Sequence, residues 1–268
     1  MVKGEVDIVE DWVLYHGDLF GFKNLYIIDN ISKDGTYEEL LKLRNKFGIN
    51  IWRSANYKKK GDYMTLLLRS FGKGELVFPI DIDEFIVYFD KPNNTINCDK
   101  RVIINYILSL PKLPFYKTNY INSKLINPSG YSRATVECKL GSYSDYGSQA
   151  KTFFHSGLFK GTIDHGNHFN QDKYFLSNLC LVHFHKRNFE QIMKKTYNNI
   201  VGLGYNPYNL AYLENICRLG LEGGHHVDRQ IKILKKTFVL DVEKEEKMDI
   251  LLNPLNDTIG QLKSTYKI

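Results

Sequence analysis

Apolar positions near the start of the chain recur at the spacing of an amphipathic helix. The recurrence predicts a helix from Val6 to Phe20, and Gly21 stands where a glycine would end it. Farther on, short apolar runs alternate with helical patterns, in the order 25–28, 36–47, 49–52, 63–71, 76–80 and 101–110. This alternation predicts an α/β fold with a mostly parallel central sheet flanked by helices.

The second half of the chain has a different pattern. The stretch 116–154 is rich in Tyr, Ser and Gly and predicts irregular strands, whereas 179–185 has the pattern of a buried strand and 189–201 that of a helix. The remainder, above all 208–236, is helical in pattern. We therefore predict a first domain over residues 1–200 and a helical C-terminal extension over residues 201–268 that packs on it.

Composition limits the classes of function. The formal net charge of +6 is too small to indicate a nucleic-acid groove, although it is compatible with phosphate ligands. The four cysteines form no C-x-x-C pair, so neither a zinc knuckle nor a disulfide scaffold is indicated. The acidic N-terminus has no apolar leader and no long apolar window follows it. We therefore expect no signal peptide, no membrane span and a cytoplasmic location.

Carboxylates follow two of the predicted strands, at Asp29 and in Asp81-Ile82-Asp83-Glu84-Phe85. Ligands of an open α/β sheet bind at the carboxyl ends of its strands. Asp81 and Asp83 are two residues apart, which would place both on the same side of an extended backbone. Paired carboxylates are costly without a cation, and oxygen ligands suit Mn²⁺ or Mg²⁺. The sequence therefore predicts a divalent metal site here.

Several motifs together resemble, in their order and spacing, those of the family 2-like and family 92 glycosyltransferases. They are Lys3-Gly4-Glu5, Glu10-Asp11-Trp12-Val13-Leu14-Tyr15-His16, Tyr26-Ile27-Ile28-Asp29-Asn30, Asp81-Ile82-Asp83-Glu84-Phe85-Ile86, Lys151-Thr152 and Leu181-Val182-His183-Phe184-His185-Lys186-Arg187. The resemblance covers about residues 3–200.

The resemblance implies a GT-A fold and inverting transfer of a sugar from a nucleotide-diphosphate sugar to a hydroxyl of a glycan or glycoconjugate acceptor. Asp83 would be the direct ligand of Mn²⁺ or Mg²⁺, and His183 would complete the coordination. Asp81, also counted among the metal residues, would face the ribose and sugar. The donor-binding residues would be Glu5, Asp29, Asp81 and Lys151, with Asp29 near the nucleobase or ribose. The metal would neutralise charge on the departing diphosphate.

An inverting transfer also needs a base that deprotonates the acceptor hydroxyl. Asp164, in a Gly-containing loop with His165 and His168, is the first choice, and Glu137 and Asp145 are alternatives. Two further basic features are interpreted as ordinary surface. They are the pair His225-His226, which would diverge on a helix, and the run Lys58-Lys59-Lys60.

Two other functions stay open at this stage. A haloacid-dehalogenase-like phosphatase also uses Asp-x-Asp at a strand end, as nucleophile and acid, but the usual Gly-Thr or Gly-Val continuation is absent here. A catalytically degenerate carbohydrate-binding module is the other possibility. Metal-dependent turnover of nucleotide sugars would separate the transferase from both.

Overall fold

A computed structural model describes residues 1–123, 140–144, 150–168, 174–184, 189–238 and 249–268. Over these residues the chain is a mixed α/β protein. The helices are α1 (Val9–Phe20), α2 (Thr36–Phe47), α3 (Lys60–Ser70), α4 (Lys100–Ser109), α5 (Phe189–Gly202), α6 (Leu210–Arg218), α7 (Gly224–Leu234) and α8 (Asn253–Tyr266). The strands are β1 (Tyr26–Asp29), β2 (Asn50–Arg53), β3 (Leu76–Val77), β4 (Glu84–Asp90), β5 (Thr95–Asn97), β6 (Phe115–Ser123), β7 (Leu140–Ser144), β8 (Thr152–His155), β9 (Leu176–His183) and β10 (Asp249–Leu251).

The strands form two sheets. In the smaller one, β1 and β2 are parallel, and Val2 makes an isolated parallel bridge to Asp29. The larger one runs in the order β10-β7-β6-β9-β4-β5, with β8 paired to both β6 and β3. Within it β6 and β9 are parallel, whereas the other pairs among the described strands are antiparallel.

The prediction of a mostly parallel sheet is therefore not confirmed, and the larger sheet is mixed. Connection length explains part of the difference. β4 and β5 are joined by residues 91–94 alone, whereas parallel neighbours need a crossover of about a dozen residues or more. The alternation of strands and helices that predicts parallel pairing is limited to the first part of the chain.

The core lies around the paired strands β4 and β9. Phe85, Ile86 and Val87 on β4 have no solvent exposure, and neither does the run 179–182 on β9. Such continuous apolar runs are expected of strands covered on both faces. The C-terminal segment joins this core, because Ile250 lies on β10 and the buried Leu255 lies on α8, which packs against α1. The extension predicted as helical thus also contributes a strand to the sheet.

Helix α1 fixes the first half of β4, which β5 does not reach. Trp12 Nε1 donates to the Glu84 carbonyl at 3.0 Å, and the Tyr15 hydroxyl donates to the Ile86 carbonyl at 2.7 Å. His16 accepts from the Ile86 N–H at Nε2, 3.3 Å away, and donates from Nδ1 to its own helix backbone. We call Trp12, Tyr15 and His16 with these partners the α1–β4 seam. It holds the start of β4 at a fixed position.

No helix within the described ranges combines the length and the apolar character needed to cross a bilayer.

Candidate functional site

A cleft of about 620 Å³ opens beside the start of β4. Five residues predicted from the sequence line it, namely Glu5, Asp81, Asp83, Lys151 and His183. Further lining residues include Lys60, Glu84, Tyr120 and Lys195. These side chains come from distant parts of the chain, so the tertiary fold brings them together.

The two aspartates lie in a turn and not on an extended strand end. Strand β3 ends at Val77, and Pro79, which has no N–H to donate, follows two residues later. The Glu84 N–H then donates to the Asp81 carbonyl at 3.1 Å, closing a four-residue turn directly before β4. The expected side-by-side placement on an extended backbone is therefore wrong. The turn nevertheless presents both carboxylates to the cleft.

Asp81 is held by two lysines. Lys60 Nζ lies 2.5 Å from one carboxylate oxygen and Lys151 Nζ lies 2.8 Å from the other. Burial alone would raise the pKa of Asp81, but the ammonium groups of Lys151 and Lys60 outweigh it and hold that pKa well below its usual range. Asp81 is therefore an anion whose charge the protein itself neutralises, which argues against it as a metal ligand.

Lys151 also ties the turn to the start of β4. Its Nζ lies 3.4 Å from Glu84 Oε1, and Glu84 Oε2 accepts from the Asp81 N–H at 2.8 Å. Burial favours the neutral amine, but the carboxylates of Asp81 and Glu84 raise the pKa of Lys151 above its ordinary value. The lysine is thus a permanent cation at the base of the cleft.

Asp83 and His183 face each other. Glu84 on β4 pairs with His183 on β9, and this register places His183 Nε2 3.2 Å from Asp83 Oδ2. Lys195, on α5, contacts the same carboxylate oxygen. The Asp83 side chain is only 3% exposed, whereas that of Lys195 is 20% exposed. One buried oxygen therefore has an imidazole and an ammonium group as neighbours.

Tyr120 on β6 contacts both His183 and Glu84. Its hydroxyl lies 2.5 Å from His183 Nδ1 and donates to Glu84 Oε1 at 3.3 Å. Burial, followed by the charges of Glu84 and Asp83, raises the pKa of Tyr120 well above its ordinary value, so it stays a neutral phenol. At 3.2 Å from a carboxylate oxygen, His183 Nε2 carries the proton of the hydrogen bond to Asp83. The other tautomer, in which Tyr120 accepts from Nδ1–H, would free the Nε2 lone pair for a cation.

Glu5 reaches the cleft from the N-terminal segment. Its carboxylate accepts from Gln191 Nε2 at 2.9 Å and lies 3.9 Å from Lys195 Nζ. The preceding Gly4 has φ +70°, and a Cβ there would lie 2.9 Å from the Lys194 side chain. The glycine thus permits the close approach of this segment to α5, which sets the position of Glu5.

Two predicted site residues do not line the cleft. Asp29 has no solvent exposure, and its carboxylate pairs with Arg53 Nε at 2.9 Å, so it holds the loop after β1 instead of facing a ligand. Its neighbour Asn30 lines the cleft in its place. Asp164 is exposed and accepts from the His168 N–H at 3.1 Å, which closes a turn. The alternatives Glu137 and Asp145, and also His185, lie outside the described residues.

The sequence interpretation missed several groups that line the cleft, among them Lys60, His225 and His226. Lys60, taken as part of a solvated run, begins α3 and reaches Asp81. A Cβ on the next residue, Gly61, would lie 2.5 Å from the Ile163 carbonyl, so this glycine allows the loop that carries His165 to pack beside α3. His225 and His226 border the cleft from α7. Their helical periodicity could not have placed them there.

The donor atoms fit a divalent cation in part. Within the described ranges, no group of three or more His, Cys, Asp or Glu side chains is arranged to hold a metal ion. Asp83 and His183 nevertheless offer one oxygen and one nitrogen at 3.2 Å from each other. Mg²⁺ typically takes one or two protein ligands and completes its shell with water and substrate phosphates. A cation could therefore be held by Asp83 and His183, provided that Lys195 leaves the shared oxygen.

No family model matches the chain, and no curated protein matches it at a significant level. The residues of the cleft therefore carry the functional inference by themselves. They pair the buried carboxylates of Asp83 and Glu84 with lysines and an imidazole in one cleft.

Proposed function

We propose that the protein is a metal-dependent glycosyltransferase that moves a sugar from a nucleotide-diphosphate sugar to a hydroxyl of a glycan or glycoconjugate acceptor. The observation that carries the proposal is the convergence of Asp81, Asp83, Lys151 and His183 in one cleft. A GT-A-like arrangement is part of it. The parallel pair β1–β2 and the Asp-x-Asp turn before an inner strand support that arrangement.

Asp83 and His183 would hold Mn²⁺ or Mg²⁺ in this proposal. When bound, the ion supplies positive charge to the leaving diphosphate. Tyr120 orients the imidazole through Nδ1, and outer partners of this kind fix the tautomer of a ligating histidine. The buried β4–β9 pairing sets the distance between the two ligands.

Asp81 keeps the donor-facing role that the resemblance implies, and only its role as a metal ligand is left out of the proposal. Lys60 and Lys151 fix its orientation, but a carboxylate has about four lone-pair sites, so Asp81 can still accept from a sugar or ribose hydroxyl. It would therefore orient the donor without binding the ion. Glu5 and Lys151 border the same space and complete the donor-binding side of the cleft.

The acceptor would enter beside the loop that carries His165 and His168 and beside α7, which carries His226. Burial, followed by His225 and Arg229, lowers the pKa of His226 to about 4, so this ring is neutral near pH 7. Asp164, the base predicted from the sequence, belongs to this loop but does not line the cleft, so the proposal assigns no base. Neutral imidazoles and amides can exchange hydrogen bonds with a hydroxyl-rich acceptor. The nearby carboxylates would repel an anionic acceptor.

The phosphatase alternative has no observation in its favour. Its nucleophile would be Asp81, yet both oxygens of that carboxylate are engaged by ammonium groups. The strand before Asp81 pairs antiparallel with β8, and the aspartate lies in a turn. A binding module without turnover would use the same cleft and differs only in activity.

The test is incubation with a panel of nucleotide sugars and Mn²⁺, with Asp83→Ala as the matched inactive variant. Metal-dependent sugar release or transfer that the variant lacks is the expected result. Turnover of phosphomonoesters would establish the phosphatase instead. Binding of nucleotide sugars without any turnover would establish the binding module.

A further inference from the structure

Lys195 contacts the carboxylate oxygen of Asp83 to which the proposed ion would bind. Its Nζ contacts Asp83 Oδ2, the same oxygen that lies 3.2 Å from His183 Nε2. An ammonium group and a divalent cation cannot both contact this oxygen at close range, because they repel each other and share the same small space. A cation that binds Asp83 through Oδ2, the oxygen beside His183 Nε2, must therefore displace Lys195.

The Lys195 side chain has other partners within reach once it leaves Asp83. Its side chain is 20% exposed in the wall of the cleft, and Glu5 Oε1 lies 3.9 Å from its Nζ. A diphosphate bound near Asp83 would bring several negatively charged oxygens within reach of this flexible side chain. Lysine donates to phosphate as a mobile point charge and can change partners without a change in the backbone.

We propose that Lys195 is an exchangeable counterion: it neutralises Asp83 in the unloaded cleft and transfers to the donor diphosphate when a divalent cation takes Asp83. The inference rests on the proposed function, which supplies the diphosphate. Without a diphosphate, Lys195 would weaken metal binding to Asp83. In the cleft that holds the metal and the diphosphate, Lys195 would help to bind the donor. The two roles predict effects of opposite sign from a single substitution.

The chain provides a matched control one residue away. Lys194 lies on the same helix and pairs with Asp34, outside the residues that line the cleft. Lys194→Met and Lys195→Met remove the same charge from the same turn of α5. A general change in the potential of the cleft would affect both variants, whereas the exchange affects Lys195→Met alone.

The experiment is calorimetric titration with Mn²⁺ alone, followed by inorganic pyrophosphate at saturating Mn²⁺. A contacting ammonium changes the affinity of a carboxylate for a cation by about tenfold or more, by analogy with its effect on proton affinity. We therefore expect Lys195→Met to bind Mn²⁺ about tenfold tighter and pyrophosphate about tenfold more weakly than the unsubstituted protein. Lys194→Met should do neither, and Lys195→Arg should restore both original affinities. Lys195→Gln serves as the neutral variant if Lys195→Met does not fold.

Unchanged or weaker Mn²⁺ binding by Lys195→Met would overturn the exchange, and so would unchanged pyrophosphate binding. Both titrations are independent of turnover. If nucleotide sugars are turned over but the two affinities do not move apart, the exchange fails and the proposed function stands. If the affinities move as expected but no nucleotide sugar is turned over, the proposed function fails and the counterion assignment stands.

Discussion

Two polar regions meet at the turn 81–84, and they are built on different principles. The α1–β4 seam consists of neutral groups, each directed at a backbone group of β4. On the cleft side lies an acid–lysine cluster, which consists of Asp81, Asp83, Glu84, Lys60, Lys151 and Lys195. The seam is buried and has fixed partners. The cluster borders the open cleft, and its charged groups can exchange their present ion-pair partners for groups of an incoming ligand.

Stability and the response to ligands therefore come from different sets of polar groups. A neutral hydrogen bond contributes about 1 kcal/mol, and leaving its buried partner unsatisfied costs about 1–3 kcal/mol. In a buried ion pair, in contrast, the free-energy cost of removing both charges from water offsets much of their mutual attraction. We therefore expect substitutions in the seam to change the free energy of unfolding, and substitutions in the cluster to change ligand binding.

The largest effect should follow from removal of the Asp83 charge. We expect Asp83→Asn to lower metal-dependent kcat/KM by about 100-fold or more, because it removes an electrostatic anchor at the reacting centre. Urea titration should show a much smaller proportional change in stability. Equal activity of the variant and the unsubstituted protein at saturating Mn²⁺ would remove Asp83 from the metal site.

In the seam, His16→Phe should destabilise the fold by about 2–3 kcal/mol, since it leaves the buried Ile86 N–H without its acceptor. Urea titration measures this change. His16→Gln is the control, because its side-chain oxygen can accept from the same N–H and should recover part of the loss. A His16→Phe protein as stable as the unsubstituted chain would mean that the seam does not fix β4.

The same histidine should contribute to the pH dependence of stability. Burial lowers the pKa of His16 from its ordinary value of 6.5 to about 3. The unfolded chain therefore takes up a proton between these values while the folded chain does not, so stability is fully present above pH 6.5 and falls as pH drops toward about 3. The slope contributed should approach about 1.4 kcal/mol per pH unit.

Urea titrations at several pH values check this prediction, with His16→Gln as the titration-free reference. Subtracting the two series isolates the histidine from the acids of the chain. Parallel curves for the two proteins would show that another group causes the acid sensitivity.

A smaller effect is expected for Tyr15→Phe, which removes one donor from the Ile86 carbonyl. We expect a loss of about 1 kcal/mol in the free energy of unfolding and an unchanged dissociation constant for Mn²⁺. Chemical denaturation and calorimetry together test the pair of expectations. A change in Mn²⁺ affinity without a change in stability would contradict the division between seam and cluster.

The smallest effect is expected at Asp164. Its carboxylate accepts from the His168 N–H, and an asparagine side chain can accept in the same way. If this turn is its role, Asp164→Asn should keep kcat within about twofold, whereas loss of a general base costs about 100-fold or more. Because Asp164 does not line the cleft, we expect the smaller change. A loss of about 100-fold would identify it as the base.

Most local elements and several residues of the cleft could be predicted from short stretches of sequence. Apolar periodicity predicted α1 and α2 closely, and the apolar runs predicted β1 and β2. The order and spacing of the motifs predicted Glu5, Asp83, Lys151 and His183 as site residues, and all four line one cleft. These features depend on short stretches of chain, where periodicity and residue type carry most of the information.

The strand directions and the charge partners depend on contacts between distant segments of the chain. Asp29 is closed off by Arg53, Asp81 is neutralised by Lys60 and Lys151, and Asp83 meets Lys195, which lies 112 residues away in the chain. No local pattern encodes such a pairing, because a surface lysine and a lysine that reaches a buried carboxylate have the same sequence signature. Their difference arises when packing brings distant segments together and removes the charges from water.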